Sequence, residues 1–245
     1  MESPWIIVTG ASRGIGLAVA RELLRDAAFR VVAVARDEAA LKAAFGGSAG
    51  VQVVVQDVTD AGAGERLAEL CPAAWGLVNN AGLAESAPLK QTDDDLLRRH
   101  MELNFYAPMR LTRALVAKGV RRVVNLCSTA ALTGYPYVSA YAASKHALLG
   151  ATRSLAREFA AKGVTFNAVC PGYVRTEMFE RTLENIAAKT GLDRAGAESK
   201  LAQLSPQGRV FEPGEVAALV RYLLGPQAAG INGQALSIDG GEVAH

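Results

Sequence analysis

Two rhythms of apolar and polar positions alternate along the chain. Short apolar runs rich in β-branched residues recur at Trp5 to Thr9, Arg30 to Ala35, Val51 to Val55, Trp75 to Asn79, Arg121 to Cys127, Val164 to Val169 and Gln234 to Ile238. Runs this short and this continuous describe strands buried on both faces. Between them lie Ala/Leu/Arg-rich stretches with helical spacing, among them Ile15 to Ala27, Asp94 to Ala117 and Ser139 to Ala161. The alternation predicts βαβ units and therefore a seven-stranded parallel sheet covered by helices on both faces, a doubly wound, Rossmann-like α/β sandwich of three layers. No linker or shift of composition divides the chain, so residues 1–245 are expected to form a single domain. Ligands of such sheets bind beyond the carboxyl ends of the strands, which directs attention to the residues that follow each run.

One interval breaks the rhythm. Pro171 to Pro213 is long for a connection between strands, with Gly191, Gly196 and Pro206 interrupting short helical patterns. Such an excursion is either a lid or a plain surface insertion, and the expectation here is a lid over about residues 173–210. Met178, Phe179, Leu183 and Ile186 recur at helical spacing, so a short helix is expected to turn an apolar face onto bound ligand. Arg175, Arg181 and Lys189 are available to guide an anionic carrier, or are simply solvated. Tyr135 and Tyr137 are expected to form the opposite wall, the alternative being that both pack beside Pro136 in a turn.

Composition narrows the classes. The 26 Lys and Arg nearly cancel the 24 Asp and Glu, and no basic block tracks a phosphate backbone, so nucleic acid is not an expected partner. Cys71, Cys127 and Cys170 are odd in number and lack metal-ligand spacing, so they read as reduced, buried thiols with no metal site. The N-terminus lacks the pattern of a signal peptide, and no apolar run is long enough to cross a bilayer. A cytoplasmic protein with no membrane association is expected.

After the first strand the sequence reads Thr9-Gly10-Ala11-Ser12-Arg13-Gly14-Ile15-Gly16 and opens into a helix. Glycines at that turn let backbone N–H groups approach a pyrophosphate, and the helix N-terminus adds partial positive charge. The spacing is G-x-x-x-G-x-G rather than the commoner dinucleotide fingerprint G-x-G-x-x-G. Ala35-Arg36-Asp37 ends the second strand, where a ribose-reading residue belongs. Arg36, with Arg13, suits a 2′-phosphate and favours NADP(H), whereas a shift of one position would make Asp37 a ribose ligand and favour NAD(H). Asp57 follows the third strand and Asn79-Asn80-Ala81-Gly82 the fourth, at the edge where adenine and ribose would lie.

Tyr141 and Lys145 stand four apart in Tyr-Ala-Ala-Ser-Lys, so a helix places an ammonium beside a phenol. Lowering a phenol from a pKa of ~10 by three units requires about 4 kcal/mol, the order that a cation at ~4 Å supplies with an effective dielectric near 20. Such a tyrosine exchanges a proton with a carbonyl or alcohol oxygen while hydride moves at carbon. Ser128, ending the fifth strand, is placed to hydrogen-bond the same oxygen. Asn104 lies in a long helical pattern, where it either distorts the helix and binds a water on a proton route to Lys145 or is an exposed polar residue. His100 sits among charges, His146 faces away from Tyr141 and His245 is the last residue, so a hydrolase built on Ser128 has no histidine to use.

These motifs together resemble the short-chain dehydrogenase/reductase family: TGASRGIG at Thr9 to Gly16, NNAG at Asn79 to Gly82, Asn104, Ser128, YAASK at Tyr141 to Lys145, and Pro171-Gly172 followed by Thr176. They keep the family's order and cover nearly the whole chain, through Ser237-Ile238-Asp239-Gly240-Gly241. The resemblance implies that Asn104, Ser128, Tyr141 and Lys145 form a catalytic tetrad, that Lys145 holds the nicotinamide ribose and that Thr176 meets the carboxamide. The cofactor contacts expected on this reading are Gly10, Ser12, Arg13, Gly14, Ile15, Gly16, Arg36, Asp57, Val58, Asn79, Ala81, Gly82, Tyr141, Lys145, Pro171, Gly172, Val174 and Thr176. Asn167 to Val174 and Gly233 to Leu236 are most similar to bacterial 3-oxoacyl-carrier-protein, acetoacetyl-CoA and aromatic polyketide ketoreductases. That similarity implies a β-keto thioester or polyketide-like substrate. Dehydrogenases of aromatic, sugar or steroid alcohols stay open, as does a non-catalytic dinucleotide sensor or partner subunit. A homotetramer is expected from the resemblance and from surplus apolar residues on Asp94 to Ala117 and Ser139 to Ala161.

Overall fold

The computed structural model describes residues 3–243; His245 lies outside them. The strands are β1 (Trp5–Thr9), β2 (Arg30–Ala35), β3 (Val51–Val55), β4 (Ala74–Asn79), β5 (Arg122–Leu126), β6 (Thr165–Pro171) and β7 (Ala235–Ile238). All pair in parallel, in the order β3-β2-β1-β4-β5-β6-β7. The helices are α1 (Gly14–Leu24), α2 (Glu38–Phe45), α3 (Ala63–Leu70), α4 (Asp94–Met101), α5 (Ala107–Ala117), α6 (Ser139–Phe159), α7 (Glu177–Thr190), α8 (Arg194–Ala202) and α9 (Pro213–Leu224). Among the described residues no helix is long and apolar enough to cross a membrane.

Alternate residues of a strand point to opposite faces, and both faces here are buried. Ile6 and Val8 enter one apolar layer with Val19 and Leu23 of α1, Leu41 of α2 and Val216 and Val220 of α9. Ile7 enters the other with Leu67 of α3, Leu111 and Leu115 of α5 and Phe166 of β6. The strand order runs outward from β1 through β2 to β3 and then restarts at β4 on the other side of β1, so a crevice opens beyond the carboxyl ends of these central strands.

Three boundaries differ from the expected ones for local reasons. The first helix stops at Leu24, because Asp26 and Ala27 take positive φ values of 59° and 51° in the turn to β2. The stretch from Asp94 to Ala117 is broken by a π-helical turn, Glu102–Tyr106, between α4 and α5. The interval after β6 holds α7 and α8, whose Phe179, Leu183, Ala197, Leu201 and Val210 form a small cluster apart from the two sheet layers.

Candidate active site

The crevice is a cleft of about 530 Å³. Its floor is the turn after β1, where Gly10 and Gly14 have φ of +67° and +54°, a conformation that side chains with a Cβ rarely take. A Cβ at Gly16 would stand 2.2 Å from the Gly10 carbonyl oxygen, so glycine there lets α1 seat against the turn. Arg13 occupies the N-cap position of α1 without a side-chain cap, and the first turn carries no acid. The positive end of an 11-residue helix is therefore left facing the cleft, a donor set suited to a pyrophosphate.

Of the expected cofactor contacts, Gly10, Ser12, Arg13, Gly14, Ile15, Arg36, Asp57, Val58, Ala81, Gly82, Tyr141, Lys145, Pro171 and Thr176 line this cleft. Gly16, Asn79, Gly172 and Val174 do not. Asn79 is buried, and its amide nitrogen donates to Asn125 Oδ1 at 2.8 Å and Thr112 Oγ1 at 3.2 Å, which ties β4 to β5 and α5. Its neighbour Asn80 lines the cleft instead and donates to the Thr9 and Gly10 carbonyls at 2.9 and 3.2 Å, holding the glycine turn. Val174 is buried and bridges to Phe211.

At the adenosine end Arg36 and Asp37 both line the cleft, and the Asp37 side chain also has a structural use. It caps α2, accepting the Ala40 N–H at 2.9 Å. Arg36, exposed just past β2, has its guanidinium 3.4 Å from Asp57 Oδ2. Burial works against the Asp57 charge, but bonds from Thr59 and the Arg36 guanidinium outweigh it and hold the carboxyl below its usual range. Arg13 reaches Glu177 Oε2 at 3.2 Å.

At the other end, Tyr141 and Lys145 share one face of α6, with Lys145 Nζ 5.8 Å from the phenol ring centre. Lys145 is buried and donates to the Leu126 carbonyl at 2.7 Å. Ser128, just past β5, lies near enough to the Tyr141 phenol to favour its ionised form. The expected lowering of the phenol by the ammonium is not present in the protein alone. Burial pushes Tyr141 up to about 12 against the opposing effect of Ser128, and burial also pushes Lys145 down. Desolvation of both groups exceeds their mutual effect at this separation.

Asn104 is fully buried, which removes the exposed alternative, and it sits in the π turn. Its Oδ1 accepts the Leu83 N–H at 2.8 Å, and its Nδ2 donates to the Leu83 carbonyl and to Ser144 Oγ, each at 2.9 Å. Ser144 in turn donates to the Tyr141 carbonyl at 2.7 Å. The wide π turn thus delivers a side chain that pins the strand-end loop after β4 to the helix bearing Tyr141 and Lys145.

Sequence reasoning missed several neighbours. His100 is wholly buried, edge-on to Tyr141 with ring centres 6.3 Å apart; its Nδ1 bonds the Leu96 carbonyl at 2.9 Å, and its Nε2 accepts the Glu85 N–H at 3.1 Å. Cys127, just past β5, and Cys170 of β6 are both buried and close together; the neighbouring Cys170, with burial, raises the Cys127 thiol. Cys127 also lines the cleft, and its place directly after a strand was a usable signal; Asn80 lines it too, at the edge to which the run Asn79 to Gly82 was assigned. Leu83 and Leu103 line it with no sequence signal at all.

The apolar face of α7 does not turn onto ligand as expected. Phe179 and Leu183 pack with α8, and Met178 alone of that set lines the cleft. Arg175 is engaged by Glu198 at 2.9 Å and Glu212 at 3.1 Å rather than free to attract a carrier. Tyr137 is 66% exposed with φ of +68°, whereas Tyr135 turns inward and donates to Glu242.

Comparisons with known proteins give the family to which the chain is similar. A family described as Enoyl-(Acyl carrier protein) reductase matches residues 10–242. A putative ketoacyl reductase of Streptomyces coelicolor is 34% identical over 254 residues, spanning 98% of this chain and 97% of the relative. Galactitol 2-dehydrogenase (L-tagatose-forming) of Cereibacter sphaeroides is 38% identical over 246 residues, spanning 96% and 92%. The crystal structure of a variant of actinorhodin polyketide ketoreductase with NADPH superposes with a TM-score of 0.92 at 32% identity, over 99% of this chain and 98% of that one.

Proposed function

The chain belongs to the short-chain dehydrogenase/reductase family, and from that premise we propose that it is an NADP-dependent ketoreductase interconverting a ketone and a secondary alcohol, acting on a β-keto acyl thioester or polyketide-like substrate. The observation that carries the reading is the pairing of Tyr141 with the buried Lys145 on the cleft wall, with Ser128 near enough to the phenol to favour its ionised form.

NADPH, when bound, supplies the hydride to the carbonyl carbon. The chain's own groups do the rest. The glycine turn and the open N-terminus of α1 hold the pyrophosphate. Arg36, seconded by Arg13, takes the 2′-phosphate; both guanidiniums sit in exposed ion pairs of small net worth, so exchanging a carboxylate for a phosphate is feasible. Lys145 holds the nicotinamide ribose and Thr176 the carboxamide. Ser128 donates to the substrate carbonyl oxygen, and Tyr141 gives that oxygen its proton. A phenol pushed up to about 12 is fully protonated at neutral pH, the state that ketone reduction needs. Asn104 and Ser144 position the loop and helix that carry these groups.

The test is NADPH oxidation with a panel of β-keto thioesters, and its repetition with Tyr141→Phe. Turnover by the wild type and a loss of about 10²–10⁴-fold in the variant, with cofactor affinity preserved, are expected. A variant retaining more than a tenth of the activity would sink the proton role. The 38% identity to a galactitol 2-dehydrogenase favours a polyol as the second reading, which the same panel extended to sugar alcohols with NADP⁺ decides. We also infer a cytoplasmic location and a homotetramer, the latter supported by Leu97 of α4 and Tyr106 of the π turn, which lie 37% and 48% exposed.

A further inference from the structure

Two thiols that no step of the reaction uses lie against the site, and the sheet register sets them side by side. In the β5–β6 ladder Leu126 stands opposite Val169. The Cys127 N–H donates to the Val169 carbonyl at 2.8 Å, which carries the ladder one step further and brings Cys127 opposite Cys170. Alternation along each strand then decides the face. Leu126 and Val169 enter the layer with α1 and α9, so Cys127 and Cys170 both turn to the other face, where they join one apolar cluster with Leu148 and Leu149 of α6. Neighbouring strands lie about 4.8 Å apart, within the Cα separation of about 4.4–6.8 Å that a disulfide spans. Cys71, the third thiol, packs with Leu67 and Ala68 of α3 ahead of β4, at the opposite ends of the strands.

Both thiols border groups of the site. Cys127 is 5% exposed and lines the cleft, whereas Cys170 is wholly buried. Cys127 lies between Leu126, whose carbonyl accepts the Lys145 ammonium at 2.7 Å, and Ser128. Cys170 precedes Pro171, which lines the cleft and has no N–H to form the next rung, so the β5–β6 ladder ends at the thiol pair. A disulfide holds its Cβ atoms about 3.8 Å apart, shorter than the strand spacing by about 1 Å. Closing it therefore draws the two strand ends together and carries Ser128, the Leu126 carbonyl and Pro171 with them.

We propose that Cys127 and Cys170 form a reversible oxidation site, which a peroxide reaching the cleft converts to a disulfide that switches the reaction off. Cys127 meets the oxidant. Its sulfur takes one oxygen from hydrogen peroxide, giving a sulfenic acid and one water. The Cys170 sulfur then displaces that oxygen, forming the S–S bond and releasing a second water; the two thiols lose two hydrogens and two electrons, and the peroxide gains them. Cys170 and burial hold the Cys127 thiol up, so the first step is slow and needs peroxide in excess. A dithiol reverses the bond by exchange. The chemistry of the pair stands apart from the ketoreductase reading, and its effect on turnover rests on that reading.

The full chain, freed of nucleotide, is treated with excess hydrogen peroxide and followed by thiol count, non-reducing peptide mapping and turnover of a β-keto thioester. One of the three thiols, Cys71, should remain, and one pair of peptides should be joined, through Cys127 and Cys170. Turnover should fall at least about tenfold, since a shift of about 1 Å at reacting groups is that costly, and dithiothreitol should restore it. Saturating NADP⁺ covers the cleft and should slow the thiol loss at least about tenfold, because oxidation follows access. Cys170→Ala has nothing to displace the sulfenic oxygen, so dimedone, which adds to sulfenic acids, should tag Cys127 in that variant and far less in the wild type. No joined pair, a pair that includes Cys71, equal dimedone labelling of the two proteins, or a joined pair with turnover unchanged overturns the proposal. A chain that joins Cys127 to Cys170 but reduces no ketone before treatment would strike the ketoreductase reading alone, because the joined peptides and the NADP⁺ protection still decide the thiol site.

Discussion

The wall that carries Tyr141 and the α7–α8 segment across the cleft use polar side chains in opposite ways. In the wall, Asn104, Ser144 and Lys145 are 0%, 0% and 5% exposed, and each bonds a backbone carbonyl: those of Leu83, Tyr141 and Leu126. In the α7–α8 segment, Arg175 and Arg194 are 41% and 60% exposed and pair with Glu180, Glu198 and Glu212. Buried bonds have no water to replace them, so breaking one costs its full desolvation penalty. Exposed ion pairs contribute about 0–1 kcal/mol each and fade with salt. The site thus has one half whose polar groups are fixed to the sheet and another whose polar links, laid over its own small apolar cluster, exchange readily with solvent.

The contrast is broken most severely at Lys145. Replacing it with Met removes the charge near the phenol and leaves the Leu126 carbonyl without its donor. Turnover should fall by about 10²–10⁴-fold and cofactor affinity should fall with it. Steady-state kinetics with NADPH titration checks both; unchanged affinity would end the assignment of Lys145 to the ribose.

Asn104→Ala comes next, and its readout is stability as well as rate. The substitution strips both backbone partners from Leu83 and the Asn104 donor from Ser144. A loss of about 2 kcal/mol is expected, a drop in Tm of roughly 4–8 °C for a chain of this size. Asp in its place still accepts the Leu83 N–H and should recover part of the loss. A Tm within a degree of wild type by calorimetry would show that the Asn104 bonds do not hold the wall together.

The sequence made the sheet legible because its strands are buried on both faces, which writes each as an unbroken apolar run such as Ile6 to Val8. Tyr141, Lys145 and the glycine turn were legible because local spacing alone brings them together. The meeting of Cys127 with Cys170, of His100 with Tyr141 and of Tyr135 with Glu242 joins residues up to 107 positions apart, and no local period records such a contact. Asn79 misled for a related reason: a polar residue ending a strand reads the same whether it faces the cleft or, as here, the Asn125 and Thr112 side chains. The α7 stripe was read with the right period and the wrong partner, since periodicity states that a face is buried and not against what.

Arg36→Ala tests the adenosine end, where the polar groups resemble those of α7–α8 in being exposed. The Arg36 side chain is 74% exposed and its pair with Asp57 is long at 3.4 Å, so the loss of that pair should leave Tm within about 1 °C. Affinity for NADPH should drop about tenfold, from one lost charge-assisted contact, while NADH binding stays within about twofold. Equal losses for both coenzymes, by fluorescence titration, would remove Arg36 from the 2′-phosphate.

The smallest effect is expected where α7–α8 is loosened from itself. Arg194 bonds both oxygens of Glu180 at 2.9 Å and reaches Glu198 at 3.1 Å, so Arg194→Ala releases a link between α7 and α8 while leaving the Phe179–Leu183–Leu201 cluster in place. Global stability should fall by less than about 1 kcal/mol, because the removed bonds are exposed. If the segment acts as a lid, its closing contacts are those its ends make at the cleft, through Thr176, Glu177 and Met178. Hydrogen exchange with NADPH and a substrate analogue should then protect residues 173–192 in the wild type, and less so in Arg194→Ala, while α6 exchanges equally slowly in both. Exchange in residues 173–192 that does not change on saturation with ligand would show that the segment is a fixed wall, its exposed ion pairs notwithstanding.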